Sequence, residues 1–264
     1  FEYWVSHAPI QLHVERQGSG TPLLILHGLF GSGQNWRTLA KRVLAPHFEV
    51  WAVDLRNHGQ SPHTDTFTYE AMADDVIALI EDEAPSSVHL LGHSLGGKVA
   101  MHTALKAPHL IDKLIVVDIA PKAYDARHSD ILAALTSLDL NAMKNRDDID
   151  SALSPQIPNA MVRQFLLKNA HRLPEGGFTW KIHLDAINTN YHRINETIDG
   201  YSPRPGPTLF VRGGKSTYVL DEDLTLIERW FPDADLVTID DAGHWIHYEA
   251  PKPFSESIVP FLLG

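Results

Sequence analysis

The sequence predicts an α/β fold: a mostly parallel central sheet, helices on both of its faces, and a helical insertion near the middle of the chain. Three observations carry this expectation. Short, nearly continuous apolar runs recur along the chain, as strands covered on both faces require. Segments with helical apolar spacing fill the intervals between them. The alternation then breaks once, between about residues 122 and 202, where helical patterns predominate.

The elements can be justified in order. Ile10, Leu12 and Val14 alternate with polar neighbours, which is the pattern of an exposed edge strand. The buried strands are expected at Leu23 to Leu26, Val50 to Val53, Val88 to Leu91, Leu114 to Val117, Leu209 to Val211 and Leu236 to Ile239. Between the second and third of these, Tyr69 to Glu83 carries Met72, Val76, Ile77 and Ile80 at helical spacing. In such alternating folds the loops at the carboxyl ends of the strands carry the active residues. Within the break, one helix is expected around Ile131, Leu132, Leu135 and Leu138, and another around Met161, Val162, Phe165 and Leu166. Pro155, Pro158 and Glu175-Gly176-Gly177 interrupt it, and the Pro- and Gly-rich stretch from Gly200 to Pro207 leads back to the next strand. The expected division is a core of residues 1–121 and 203–264, with residues 122–202 forming a helical cap over the carboxyl edge of the sheet.

A chain of 264 residues, 44% of them hydrophobic, can bury one α/β core with an insertion. It has no cysteine, which excludes disulfides, thiolate metal sites and a cysteine nucleophile. A formal charge of −11 argues against nucleic acid and anionic membrane as partners. No apolar run approaches the roughly 18 residues of a membrane span, and the amino terminus, which begins at Phe1, shows no basic and apolar signal pattern. A soluble, cytoplasmic protein is expected.

The pentapeptide Gly92-His93-Ser94-Leu95-Gly96 follows the apolar run Val88 to Leu91 and precedes an apparent helix opening. Strand, sharp turn and helix are the setting in which Gly-x-Ser-x-Gly becomes a nucleophile elbow. A side chain at either glycine would collide with the neighbouring strand or helix, and the turn presents the serine hydroxyl at the sheet edge. The Leu95 N–H, at the start of the helix, is available to an oxyanion. The second donor is expected from the loop after His27-Gly28, at Leu29, with Phe30 as a wall of the substrate pocket.

A serine hydroxyl needs a base and an orienting acid. Among 16 histidines, His244 stands out. It follows the last strand in Asp240-Asp241-Ala242-Gly243-His244-Trp245, the place of the base when the order is nucleophile, acid, base. His93 leaves the elbow in a different direction from Ser94, His27 and His58 read as braces for loops, and His247 reads as a packed or solvated helix residue. Arg56 reads as a tie between loops. The acid is usually found after the strand at Leu209 to Arg212. Ser216 and Thr217 occupy that place, and Asp221 and Asp223 read as the first turn of the next helix. One strand earlier, Asp118 ends the run Leu114 to Val117 and is the expected acid.

These motifs resemble the α/β-hydrolase superfamily along nearly the whole chain. His27-Gly28-Leu29-Phe30-Gly31-Ser32, Asp54-Leu55-Arg56-Asn57-His58-Gly59, Gly92 to Lys98, Val117 to Pro121 and Arg212 to Ser216 look like the small bacterial esterases of the YbfF type, which are similar to the abhydrolase-domain esterases of mitochondria. The resemblance implies hydrolysis of acyl esters, with thioesters of coenzyme A as further substrates, and an acid after the earlier strand, on Asp118. A coenzyme A thioester fits poorly with so acidic a chain. The expectation is therefore a serine carboxylic-ester hydrolase for short to medium acyl esters, with Ser94, Asp118 and His244 as catalytic residues, no cofactor and no metal. The partner is a small-molecule ester. Two alternatives share the scaffold: an enzyme hydrolysing or cleaving carbon–carbon bonds, and a ligand sensor that retains the triad.

Overall fold

The computed structural model describes residues 8–264; residues 1–7, where the signal-pattern expectation begins, lie outside the described residues. In chain order the core opens with β1 (His13–Gln17) and β2 (Pro22–Leu26), a short helical segment that includes α1 (Arg37–Leu39), and β3 (Glu49–Asp54). Next come α2 (Tyr69–Glu83), β4 (Val88–His93), α3 (Leu95–Lys106) and β5 (Ile111–Val117). The region after β5 contains α4 (Ser129–Thr136), α5 (Arg146–Leu153), α6 (Ala160–Leu167), a hairpin of β6 (Ala170–Arg172) and β7 (Phe178–Trp180), and α7 (Leu184–Thr189). The chain closes with β8 (Thr208–Gly213), α8 (Leu224–Trp230), β9 (Ala234–Ile239), α9 (Ile246–Glu249) and α10 (Pro251–Leu263).

Seven strands form one sheet in the order β1-β3-β2-β4-β5-β8-β9, and only β1 runs antiparallel to its neighbour. The apolar runs are continuous because both faces are covered. Leu24 and Leu26 of β2 pack into one hydrophobic cluster and Leu23 and Ile25 into another. In β5, Leu114 and Val116 face one cluster while Ile115 and Val117 face the other. The edge strand starts later than the alternation suggests, at His13. Ile10 lies before it, its N–H bound by the Asp75 carboxylate at 2.8 Å.

The helix over Tyr69–Glu83 has the bounds its spacing predicts; Thr68 caps it by accepting the Ala71 N–H. The stretch around residues 122–202 contains the helices expected near Ile131 and Met161, and also the β6–β7 hairpin, which helical spacing does not foretell. Its neck is tied to the core. The Tyr124 N–H donates to the Asn195 carbonyl at 2.9 Å and the Ile198 N–H to the Pro121 carbonyl at 3.0 Å. Below the neck, the Lys98 ammonium is fully buried and donates to the Lys122 and Glu196 carbonyls at 2.6 and 2.8 Å. Burial pushes its pKa down to about 7, because a charged amine loses hydration that two carbonyls only partly replace.

Candidate active site

The carboxyl ends of β4, β5, β8 and β9 lie next to one another because of the strand order. Each delivers one part of the site. Ser94 follows β4 with φ +53° and ψ −117°, a sparsely populated geometry that costs about 1–3 kcal/mol and persists only when neighbours impose it. Here they do. A Cβ on Gly92 would lie 2.1 Å from the Gly96 carbonyl oxygen, and one on Gly96 would lie 2.4 Å from that of Leu26. Helix α3 therefore packs tightly onto β4 and β2, and it begins at Leu95, directly after Ser94.

Asp118, directly after β5, also has positive φ, +50°, and its side chain is fully buried. Its Oδ1 accepts the Gly213 N–H at 3.0 Å. Its Oδ2 accepts both the Ser216 hydroxyl at 2.5 Å and the His244 Nδ1–H at 2.7 Å. On the other side of the ring, His244 Nε2 lies 3.0 Å from Ser94 Oγ. The structure thus brings Ser94, His244 and Asp118 into one hydrogen-bonded chain. Ser216, at the position the acid usually holds, donates to the carboxylate that comes from the neighbouring strand. Asp223 is bound to the Lys122 ammonium and the Leu220 N–H at 2.6 and 2.8 Å, away from this chain. Such an arrangement can draw the serine proton onto the imidazole as Oγ attacks an electrophilic carbon.

The loop after β2 faces the same space. His27 accepts the Leu55 N–H through Nε2 at 3.0 Å and donates through Nδ1 to the Gly28 carbonyl at 2.8 Å. His58 Nε2 accepts the Phe30 N–H at 3.2 Å while its Nδ1 donates to the Arg56 carbonyl at 3.0 Å. Burial pushes these imidazoles down to about 4 and about 3, so both are neutral and keep these donor and acceptor roles. The Phe30 N–H is consumed by His58, which leaves the Leu29 N–H as the donor this loop can offer. Arg56 ties loops together as expected, through a buried pair with Asp75 at 2.6 Å.

Three contributors were not legible in the sequence. The Tyr218 ring stacks on His244 at 3.9 Å and 17°, fixing the plane of the imidazole. His93 donates from Nε2 to the His244 carbonyl at 2.8 Å, steadying the loop that carries it; burial, then the nearby His244 and His247, hold His93 well below the usual histidine range. Asn169, from the insertion, donates to the Phe30 carbonyl at 2.8 Å. Long sequence separations hide all three contacts. His247, in turn, stacks on Trp36 at 4.0 Å.

A cavity of about 250 Å³ opens on Ser94, and apolar walls from Phe30, Trp36, Ile131, Val162, Phe165 and Trp245 dominate it. Core and insertion both contribute, and Phe30 stands where the sequence places it.

The family pattern described as the α/beta hydrolase fold matches residues 21–251. The chain belongs to the α/β-hydrolase fold family. Within that family it is a hydrolase of the YbfF esterase type. It is 32% identical over 252 residues to esterase YbfF of Escherichia coli, covering 94% of this chain and 95% of the relative. It is 38% identical over 254 residues to the sn-1-specific diacylglycerol lipase ABHD11 of Danio rerio, covering 93% and 80%. A solved structure of a marine microorganism esterase superposes with a TM-score of 0.93 at 44% identity, covering 96% of this chain and 99% of that one. No helix among the described residues is long and apolar enough to cross a membrane.

Proposed function

We propose that this α/β hydrolase is a serine carboxylic-ester hydrolase that turns over short to medium acyl esters through an acyl-enzyme. The observation that carries the proposal is the continuous chain from Ser94 Oγ to His244, at 3.0 Å, and from His244 to the buried Asp118, at 2.7 Å. Ser94 Oγ attacks the ester carbonyl carbon as His244 Nε2 takes its proton. Asp118 holds Nδ1–H in place and stabilises the imidazolium. The carbonyl oxygen, now an oxyanion, accepts the N–H groups of Leu29 and Leu95, which need no reorganisation to meet it. Collapse breaks the bond to the leaving alcohol, which takes the proton from His244. A water then repeats the sequence on the acyl-enzyme, its proton passing to His244 and on to Ser94 as the acid leaves.

The cavity supports the chain-length assignment. Its volume, about 250 Å³, lies below the ~300–1,000 Å³ typical of sites for drug-sized ligands, and its walls favour an uncharged hydrocarbon segment. Residues 122–202 act in this reading as the cap that roofs the cavity. The test is hydrolysis of p-nitrophenyl acetate, butyrate and octanoate by wild type and by Ser94→Ala. The variant is expected to keep its circular dichroism spectrum and to lose turnover by on the order of 10⁶, as removal of a triad serine does in subtilisin. Near-normal hydrolysis in the folded variant contradicts the mechanism.

A further inference from the structure

Ser94 borders a second, smaller cavity of about 30 Å³, whose rim, unlike that of the larger one, carries an aspartate and an arginine. Leu29 and Leu95 also line it, so whatever enters it adjoins the proposed oxyanion donors. Its volume suffices for about two water-sized atoms. Arg127 and Asp125 border it as well.

Arg127 is the informative residue. In a chain with 33 acidic against 22 basic side chains, several cations near this rim are paired: Lys122 with Asp223 at 2.6 Å, Arg212 with Asp221 at 2.7 Å, and Lys215 with Asp241 at 3.3 Å. No carboxylate among the described residues pairs with Arg127. The guanidinium is nevertheless fixed. Its Nη1 donates to Thr217 Oγ1 at 3.2 Å, and its carbon stands 4.6 Å over the Tyr218 ring and 5.7 Å from the centre of Tyr124. Arg127 and His244 both lie against the Tyr218 ring, so the cation stands one ring away from the proposed base. The bonds to Thr217 and to the Tyr218 side chain leave three of the five N–H donors, and a carboxylate takes two in a planar fork.

We propose that Arg127, at the mouth of the small cavity, pairs with a carboxylate on one half of the substrate and so selects it, while the apolar cavity takes the other half. The inference rests on the ester-hydrolase reading and names its substrate class: esters with one hydrocarbon half and one small anionic half. One cation at this rim disfavours a polyphosphate carrier. The Asp125 carboxylate at the same rim opposes any anion, which sets a ceiling on the preference and supplies a second handle.

The experiment compares kcat/KM for ethyl butyrate with that for monoethyl succinate, whose acyl half carries the anion, and for butyryl glycolate, whose alcohol half carries it. Wild type is expected to favour one of the two anionic esters over ethyl butyrate by on the order of tenfold, the low end for a hydrogen bond to a charged group. Arg127→Gln brings that ratio to about one, Arg127→Lys leaves it between the two, and Asp125→Asn raises it. Ionic strength of about 0.5 M lowers it in wild type, because an exposed interaction is screened. A wild-type ratio of one or less for both anionic esters overturns the proposal. So does an Arg127→Gln variant that lowers all three rates equally, since Arg127 would then merely support Tyr218 and His244. Failure of wild type to hydrolyse any of the three esters counts instead against the hydrolase reading.

Discussion

At the sheet edge, Ser94 and Asp118 sit at positive φ, and backbone packs closely around Ser94, with carbonyls 2.1 and 2.4 Å from where side chains on Gly92 and Gly96 would be. In the insertion, the residues that face Ser94 across the cavity are Ile131, Val162 and Phe165, each partly buried and held by side-chain packing against the core cluster. The first arrangement admits few substitutions, because moving one atom displaces a strand or a helix. The second can be rebuilt with any set of apolar side chains of suitable volume. On the proposed function, chemistry falls to the part of the molecule that cannot shift, and substrate choice to the part that can.

The most severe way to test that division is at the acid. Asp118→Asn keeps size and shape but offers His244 an amide in place of a charge. A loss on the order of 10³–10⁴ in kcat is expected by analogy with the serine-protease acid. Adding Ser216→Asp restores part of the loss, since the Ser216 hydroxyl already lies 2.5 Å from the Asp118 carboxylate. Retention of more than about a tenth of wild-type turnover by Asp118→Asn would break the comparison at its rigid end.

A smaller effect tests the other end. Phe165→Ala enlarges the apolar cavity and is expected to shift the octanoate-to-acetate ratio of kcat/KM several-fold, through roughly 1–3 kcal/mol per methylene-scale change in fit. The acetate rate should change least. An unaltered ratio would mean that core loops alone set chain length.

The mildest test is acidity. Burial pushes His27 down to about 4, and His58 and His102 to about 3. These rings stay neutral in the folded protein while the unfolded chain protonates them near pH 6.5. The stability they contribute is present above that pH and is lost as pH falls from 6.5 toward 4 and 3. Scanning calorimetry should show the melting temperature falling steadily from pH 7 to pH 5. A flat profile would place charged groups where the structure has neutral ones.

The same contrast explains what could be read from the amino acids alone. Ser94 was legible because strand, turn and helix are adjacent in sequence, and His244 because it closes the last strand's loop. Asp118 was legible through an absence, the hydroxyls at Ser216 and Thr217. Tyr218, His93 and Asn169 were not, because each acts on a residue far away in the chain. The start of β1 was misplaced because Ile10 and Leu12 alternate like strand residues while the backbone there turns to meet Asp75. The β6–β7 hairpin was missed because three-residue strands are too short for a period of two to show.

The central claim is that one hydroxyl, at the end of β4, is the nucleophile. Incubation with a fluorophosphonate probe, followed by peptide mapping by mass spectrometry, tests it most directly. A single adduct on Ser94 is expected in wild type, with labelling slowed sharply in His244→Ala, where no imidazole takes the proton from a hydroxyl that now lies 3.0 Å from Nε2. An adduct on any other serine, or equal labelling rates in the two proteins, would contradict it.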